Sequence, residues 1–372
     1  MSVTTPTDLR PRAARSPQPR RPVDRSRLGW TLLTIALTLV VLLGLSPSGY
    51  VIEQPGPVYD TLGSQGADGD PLIRIDGAET YPTDGSLDLT TVTVVGSPNG
   101  TPDLIRTALA WFDPRKSVKP LEAAFPAGVS SEERDEQSRL QMQNSQQEAV
   151  AAALTELGYD IPRTLTVQGV VEGAPAEGLL EEGDEVVSIN GADVANLTEL
   201  REAIAANGTD TPAALGILRD GEERTVEVTP TTQQGQTVVG VGVAVAYEFP
   251  FDVEIELPNV GGPSAGMTFA LGIYDKLTPG SLTGGERIAG TGTIDAEGTV
   301  GAIGGIRQKM YGAQAAGADW FLAPEANCGD VVGHVPDGMS VFAVRTLGDA
   351  LTAVEAIADG QRTSGLPTCT AR

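Results

Sequence analysis

Two side chains in this chain have the types and the spacing that acyl transfer needs. Ser264 lies in the glycine-rich run 261–266 (GGPSAG), and Lys309 is one of only four lysines in 372 residues. A serine hydroxyl is a weak nucleophile until a neighbouring base takes its proton. The single histidine, His334, stands in a loop-like stretch without a patterned partner. The sequence therefore predicts a serine-lysine dyad rather than a Ser-His-Asp triad.

Two predicted helices would position this pair. Pro263 suits the first turn of a helix over 264–276, which leaves the amides from Gly262 to Ala265 free to stabilise an oxyanion. The run 306–317 predicts a second helix that places Lys309 at the edge of a buried stripe. A lysine acts as a base only when neutral, so its pKa must fall from about 10.4 towards 7, which desolvation in an apolar pocket can achieve.

Several motifs around these residues resemble the proteolytic domain of Lon-type serine peptidases in both order and spacing. They are DVEIELP at 252–258, GGPSAG at 261–266, IAGTGTI at 288–294, GTVGAIGGIRQK at 298–309 and APEAN at 323–327. The resemblance implies an α+β fold, Ser264 as nucleophile and Lys309 as its base. Thr291 could orient the lysine amine, or it could be purely structural. Gly261 and Thr293 stand where many members of the family carry acidic residues.

A second resemblance covers residues 163–232. The run 183–191 (GDEVVSING) and the helix-like run 197–204 are similar to the PDZ domains of bacterial proteases, in which a peptide docks as an added strand. We expect the capturing strand near Thr164 to Val170, although the usual Gly-Leu-Gly-Phe pattern is missing there. The alternative is that this module is only a structural spacer.

The layout predicted from these resemblances is a Lon-type peptidase domain that is split by an inserted PDZ domain. Residues 51–160 would form its N-terminal part and residues 235–358 its catalytic part, with a tail at 359–372. The alternative makes 51–160 a separate domain.

The amino terminus predicts a membrane anchor. Residues 1–27 hold seven arginines and read as a disordered cytoplasmic tail. Residues 28–47 contain an 18-residue apolar run, which predicts one transmembrane helix after which everything is extracytoplasmic. A cleaved signal peptide is the alternative.

The charge and composition of the chain limit the partners and cofactors that it can bind. The net charge of −24 argues against nucleic-acid binding. Cys328 and Cys369 could form one disulfide, or either could be an unpaired thiol. The chain has no Gly-x4-Gly-Lys-Ser/Thr loop and no clustered His/Cys set, so the sequence predicts ATP-independent hydrolysis without a cofactor or metal.

Together these patterns resemble the membrane-anchored Lon-like PDZ proteases of Gram-positive bacteria. The resemblance implies a membrane-anchored, extracytoplasmic serine endopeptidase, a homo-hexameric ring, and a PDZ module that selects or presents exported or membrane-associated protein substrates. A PDZ-based scaffold with an inactive peptidase domain is the alternative.

Overall fold

The computed structural model of this chain describes residues 25–65, 69–126, 128, 130–233, 235–257, 260–360 and 363–370. Its helices are α1 (Arg25–Leu45), α2 (Leu104–Trp111), α3 (Leu121–Ala124), α4 (Ser131–Glu156), α5 (Leu197–Asn207), α6 (Gly266–Leu277), α7 (Ile306–Ala316), α8 (Cys328–Val331) and α9 (Leu347–Ala358). Short 3₁₀ turns occupy Glu325–Asn327 and Thr363–Gly365.

The strands fall into two groups, before and after α5. Those before it are β1 (Tyr50–Asp60), β2 (Ser64–Gln65), β3 (Asp70–Pro71), β4 (Ile73–Asp76), β5 (Ser86–Val95), β6 (Ser117–Pro120), β7 (Arg163–Val170), β8 (Glu185–Ile189) and β9 (Ala192–Asp193). Those after it are β10 (Ala213–Arg219), β11 (Glu222–Val228), β12 (Thr231–Gln233), β13 (Gln236–Val238), β14 (Val241–Tyr247), β15 (Asp252–Ile255), β16 (Arg287–Gly290), β17 (Thr293–Ile294), β18 (Val300–Gly301), β19 (Trp320–Pro324) and β20 (Ser340–Val344).

A six-stranded sheet joins distant parts of the chain in the order β20-β19-β16-β5-β1-β6. Its strands β1, β5 and β6 come before β7 in the sequence, and β16, β19 and β20 come after β14. The strands of a second sheet lie between these two segments. Strand β16 lies parallel to both β5 and β19, so it connects the two sequence segments directly. One sheet thus contains strands from both sequence segments.

Helices cover both faces of the six-stranded sheet. On one face α4, α6 and α9 enclose a core that contains Leu87, Ile288 and Leu322. On the other face α7 packs over a smaller cluster that contains Ala289 and Phe321. Neighbouring residues of one strand point to opposite faces, so β16 and β19 each contribute to both layers.

The second sheet has the order β11-β10-β8-β7-β14, with β9 paired to β8. Its own core includes Leu165, Val186, Leu200 and Ile217, and α5 packs against that core. Strand β14 pairs along its whole length with β7. The unit therefore extends to Tyr247, beyond the boundary predicted at residue 232.

The predicted membrane-spanning helix at 28–47 is wrong, and so is the predicted single-pass location with an extracytoplasmic catalytic domain. Among the residues that the structure describes, no helix combines the length and the apolar character needed to cross a membrane. Helix α1 begins at Arg25, includes Arg27 in its first turn, and has three threonines that donate hydroxyl hydrogen bonds to the carbonyl four residues earlier. The predicted cytoplasmic tail at 1–27 lies almost wholly outside the described residues.

Candidate active site

Ser264 and Lys309 meet beyond the end of strand β16. Ser264 lies in a turn just before α6, and Lys309 lies in the first turn of α7, on the opposite side of the sheet. Lys309 Nζ donates a hydrogen bond of 2.7 Å to Ser264 Oγ. The structure thus brings the two residues singled out in the sequence within the distance that proton transfer needs.

Burial changes the chemistry of this lysine. Lys309 is 3% exposed, and loss of hydration lowers its pKa from 10.5 to about 7. Desolvation disfavours the charged ammonium because the surrounding medium replaces few of its contacts with water. A large fraction of the side chain is therefore neutral near pH 7, where its lone pair can accept a proton.

Thr291, the first residue after β16, contacts both members of the pair. Its hydroxyl accepts a 2.9 Å hydrogen bond from Lys309 Nζ and donates one of 3.0 Å to the carbonyl oxygen of Ser264. The amide of Gly292 donates to the same carbonyl at 3.0 Å. Because Thr291 is itself buried, it fixes the position of the amine relative to the serine backbone.

Helix α4 holds the segment that precedes the serine. Ser145 Oγ donates to the carbonyl of Pro263 at 2.9 Å, and the amide of Gly262 donates to the carbonyl of Ser138 at 2.9 Å. A Cβ atom on Gly261 would lie 2.2 Å from Ser138 Oγ, so a larger residue there needs the Ser138 hydroxyl to turn away. Ser138 carries no motif that would single it out in the sequence, although its spacing of seven residues from Ser145 puts both on one face of a helix.

The amides around Ser264 divide into engaged and free groups. The N–H of Gly262, predicted as an oxyanion donor, is engaged with Ser138. The N–H of Ala265 has no acceptor among the described residues. Helix α6 begins at Gly266, two residues later than predicted, because Ser264 and Ala265 form a turn. Ala265 thus stays at the positive end of the helix dipole with a free donor.

A cleft of about 460 Å³ opens beside the pair. Its lining includes Ser264, Ala265 and Lys309 together with the strand residues Thr90 to Thr93 of β5. Strand β16 pairs with β5 only as far as Leu89. On that edge the following residues of β5 border the cleft, while their other edge pairs with β1. An extended chain could enter at this point.

The two cysteines form a disulfide between Cys328 and Cys369. It attaches the carboxyl-terminal segment to α8, next to Asn327. The carboxamide of Asn327 accepts from the amide of Ile303 and donates to the carbonyl of the same residue, both at 2.9 Å. The disulfide thus borders the residue that fixes the loop leading into α7.

Two models of known protein families match parts of this chain. A model of the Lon protease (S16) C-terminal proteolytic domain matches residues 246–355, and a model of the PDZ domain matches residues 128–229. Residues 246–355 are thus similar to the proteolytic domain of Lon-type serine peptidases. Residues 128–229 are similar to PDZ domains.

Curated relatives match short parts of their own length. Lon protease 1 of Sorangium cellulosum is 39% identical over 93 residues, which cover 24% of this chain and 11% of that protein. Zinc metalloprotease RasP of Geobacillus kaustophilus is 36% identical over 83 residues, which cover 22% of this chain and 20% of that protein. Among solved structures, the PDZ domain of the SdrC-like protein Lin2157 of Listeria innocua is 20% identical, covers 22% of this chain and 92% of that one, and has a TM-score of 0.21.

Proposed function

We propose that this protein is an ATP-independent serine endopeptidase in which Ser264 is the nucleophile and Lys309 the general base. The observation that carries the proposal is the 2.7 Å contact between Lys309 Nζ and Ser264 Oγ, made by a lysine that is almost fully buried. A neutral amine at this distance can accept the hydroxyl proton as the oxygen attacks.

The proton moves in two stages. Lys309 takes the proton of Ser264 as Oγ bonds to the scissile carbonyl carbon, and the resulting oxyanion accepts from the free amide of Ala265. The lysine ammonium then gives its proton to the leaving amine, and the C–N bond breaks to leave an acyl-enzyme. Lys309 then takes a proton from water as the water oxygen attacks the ester. It returns that proton to Ser264 Oγ as the ester bond breaks and the second product leaves. Thr291 acts as a positioning residue because it binds the amine from the side.

The PDZ unit would select protein substrates through β14, not through the segment expected from the sequence. Strand β7, which contains Thr164 to Val170, pairs with β14 on one edge and β8 on the other, so it cannot accept an added strand. Strand β14 ends the sheet, and its outer edge pairs with no strand of the described residues. An extended peptide can add there by main-chain hydrogen bonds.

Substitution of the dyad tests the reaction. Ser264→Ala, Lys309→Ala and Lys309→Arg should each abolish hydrolysis of an unstructured peptide while the fold is retained, since arginine stays protonated near neutral pH. In the wild type, the rate should rise with pH through about 7, as the buried ammonium loses its proton. Turnover by Lys309→Arg, or a flat profile from pH 6 to 9, would show that another group is the base.

The alternative, a PDZ-based scaffold with an inactive peptidase domain, predicts a different result for labelling of Ser264. If the domain is inactive, an active-site serine probe leaves Ser264 unmodified although the cleft is intact. We expect Ser264-dependent labelling that Lys309→Ala removes. The homo-hexamer implied by the resemblance stays a prediction, which sedimentation velocity of the full chain tests.

A further inference from the structure

Three adjoining cavities follow one face of helix α4 towards Ser264. The most distant has a volume of about 670 Å³, the middle one about 580 Å³, and the third is the cleft beside the dyad. The distant and middle cavities share Gln143, Gln146 and Ile255 in their linings. The middle cavity and the cleft share Met142 and Val260. The cavities therefore form one continuous groove, which we call the α4 groove.

Carboxamides line the α4 side of the distant cavity. They are Gln143, Asn144, Gln146 and Gln147. Amide side chains both donate and accept, so they match the main chain of a peptide without regard to its sequence. Of the four, only Gln146 has a hydrogen-bond partner among the described residues, namely the carbonyl of Ile255.

Strand β15 forms the opposite wall, and its edge away from β4 pairs with no strand of the described residues. It pairs with β4 in antiparallel register, and the amide of Glu256 donates to the carbonyl of Leu72 just beyond the strand. Since inward and outward main-chain groups alternate along a strand, those of Val253 and Ile255 point away from β4. The bond from Gln146 to Ile255 agrees with this direction. A strand edge opposite a helix is a geometry that binds extended peptides.

The distant end of the groove lies next to the proposed peptide-binding strand of the PDZ unit. Tyr247 is the last residue of β14, and its ring stacks on Phe249 with the centroids 5.7 Å apart. Phe249 and Phe251 line the distant cavity. A chain that leaves β14 at Tyr247 therefore meets the α4 groove and can follow it to Ser264.

We propose that the α4 groove binds the stretch of an extended protein substrate that lies between its PDZ-docked segment and the scissile bond. The proposal rests on the peptidase function proposed above. The lining from Asp135 to Val150 spans about 22 Å at about 1.5 Å per residue. At about 3.3 Å per residue, an extended chain would place about six or seven residues there.

Substrate length tests the groove. We would measure kcat/KM for a four-residue fluorogenic peptide and for two peptides with the same scissile bond, extended by eight residues on either side of it. For the wild type, one of the two extended peptides should be cleaved about ten-fold more efficiently than the short one, which corresponds to two or three net main-chain hydrogen bonds.

Two tryptophan substitutions on α4 provide a matched comparison. Gln143→Trp should fill the groove and reduce the ratio of long- to short-peptide kcat/KM about ten-fold, by removing the same bonds. Gln141→Trp changes the same residue type on the same helix, also exposed but outside all three cavities, and should leave the ratio unchanged. A wild type without length dependence, or equal effects of the two substitutions, would overturn the proposal.

Binding separates this proposal from the peptidase function. In a Ser264→Ala background, fluorescence anisotropy should show that the favoured long peptide binds and that Gln143→Trp weakens binding about ten-fold. If the wild type hydrolyses no peptide but this binding difference is found, the peptidase function fails and the groove stands. If hydrolysis depends on Ser264 but Gln143→Trp does not weaken binding, the groove fails alone.

Discussion

The buried amine of Lys309 should make the stability of the whole protein depend on pH, and replacement by methionine should remove that dependence. Lys309 is 3% exposed, and its pKa in the folded chain is about 7, against 10.5 for the ordinary side chain. Methionine fills a similar volume without a charge. The substitution therefore isolates the cost of burying the ammonium.

The direction in which the free energy of unfolding changes with pH follows from proton binding. Between pH 7 and 10.5 the unfolded chain holds the lysine proton and the folded chain does not, so the free energy of unfolding rises with pH. One proton contributes up to about 1.4 kcal/mol per pH unit, or about 5 kcal/mol over the whole interval. This stability is present above pH 10.5 and is lost as the pH falls to 7. Below 7 both states are protonated, and this group contributes no further pH dependence.

Chemical unfolding of the wild type and of Lys309→Met at half-unit intervals from pH 7 to 10 would measure the difference. Subtracting the two curves cancels the other titrating groups, and the paired cysteines leave no free thiol to complicate alkaline pH. Ser264→Ala is the control, because it keeps the buried amine and should keep the wild-type slope. Parallel curves for wild type and Lys309→Met would show that the lysine is hydrated, and the reasoning about the base would fail.

Three further changes test neighbouring parts of the structure. Thr291→Val should lower peptide hydrolysis about ten-fold or more. It should also shift the midpoint of the pH profile below that of the wild type, because the Lys309 ammonium loses a hydrogen-bond acceptor. Thr291→Ser should restore both the rate and the midpoint, and equal pH profiles for Thr291→Val and the wild type would exclude a positioning role. Gly305→Ala should cost about 1–3 kcal/mol of unfolding free energy, since φ is +69° and the new Cβ would lie 2.7 Å from a valine methyl. Gly304→Ala, with open space around it, is the matched control, and similar losses would contradict the strain argument. Asp184→Ala should destabilise the PDZ unit by about 1–3 kcal/mol, because Arg219 loses two 2.7 Å bonds but keeps its contacts with Glu181 and the carbonyl of Leu179. Unchanged denaturant midpoints would refute this.

Local sequence patterns were sufficient to predict the helix that contains Lys309 and the helix that follows Ser264. The run beginning at Ile306 forms a helix that ends before Gly317, which adopts the left-handed conformation that favours glycine there. The glycine-rich run around Ser264 precedes a helix, as its proline and apolar spacing indicated. These features depend on neighbouring residues, so periodicity and punctuation in the sequence reveal them.

Other features depended on contacts between distant segments. The sequence predicted the peptide-capturing strand at Thr164–Val170, but that strand lies inside the sheet, and β14 is one of its two edge strands. The sequence predicted the amide of Gly262 as an oxyanion donor, but that amide donates a hydrogen bond to the carbonyl of Ser138 on α4. The predicted transmembrane helix rested on a run of apolar residues, but no helix of the described residues is long and apolar enough to cross a membrane.

The sequence by itself determined which residues can react: a serine in a glycine-rich turn and a lysine on a short helix, joined by motifs of the Lon type. Only the tertiary structure decided that the two side chains lie within hydrogen-bond distance of each other. Burial of Lys309 between the sheet and α7 lowers its pKa, and the contact with Thr291 fixes its amine beside Ser264. Desolvation and a 2.7 Å approach arise from the packing of segments far apart in the chain, and spacing along the sequence does not contain that information.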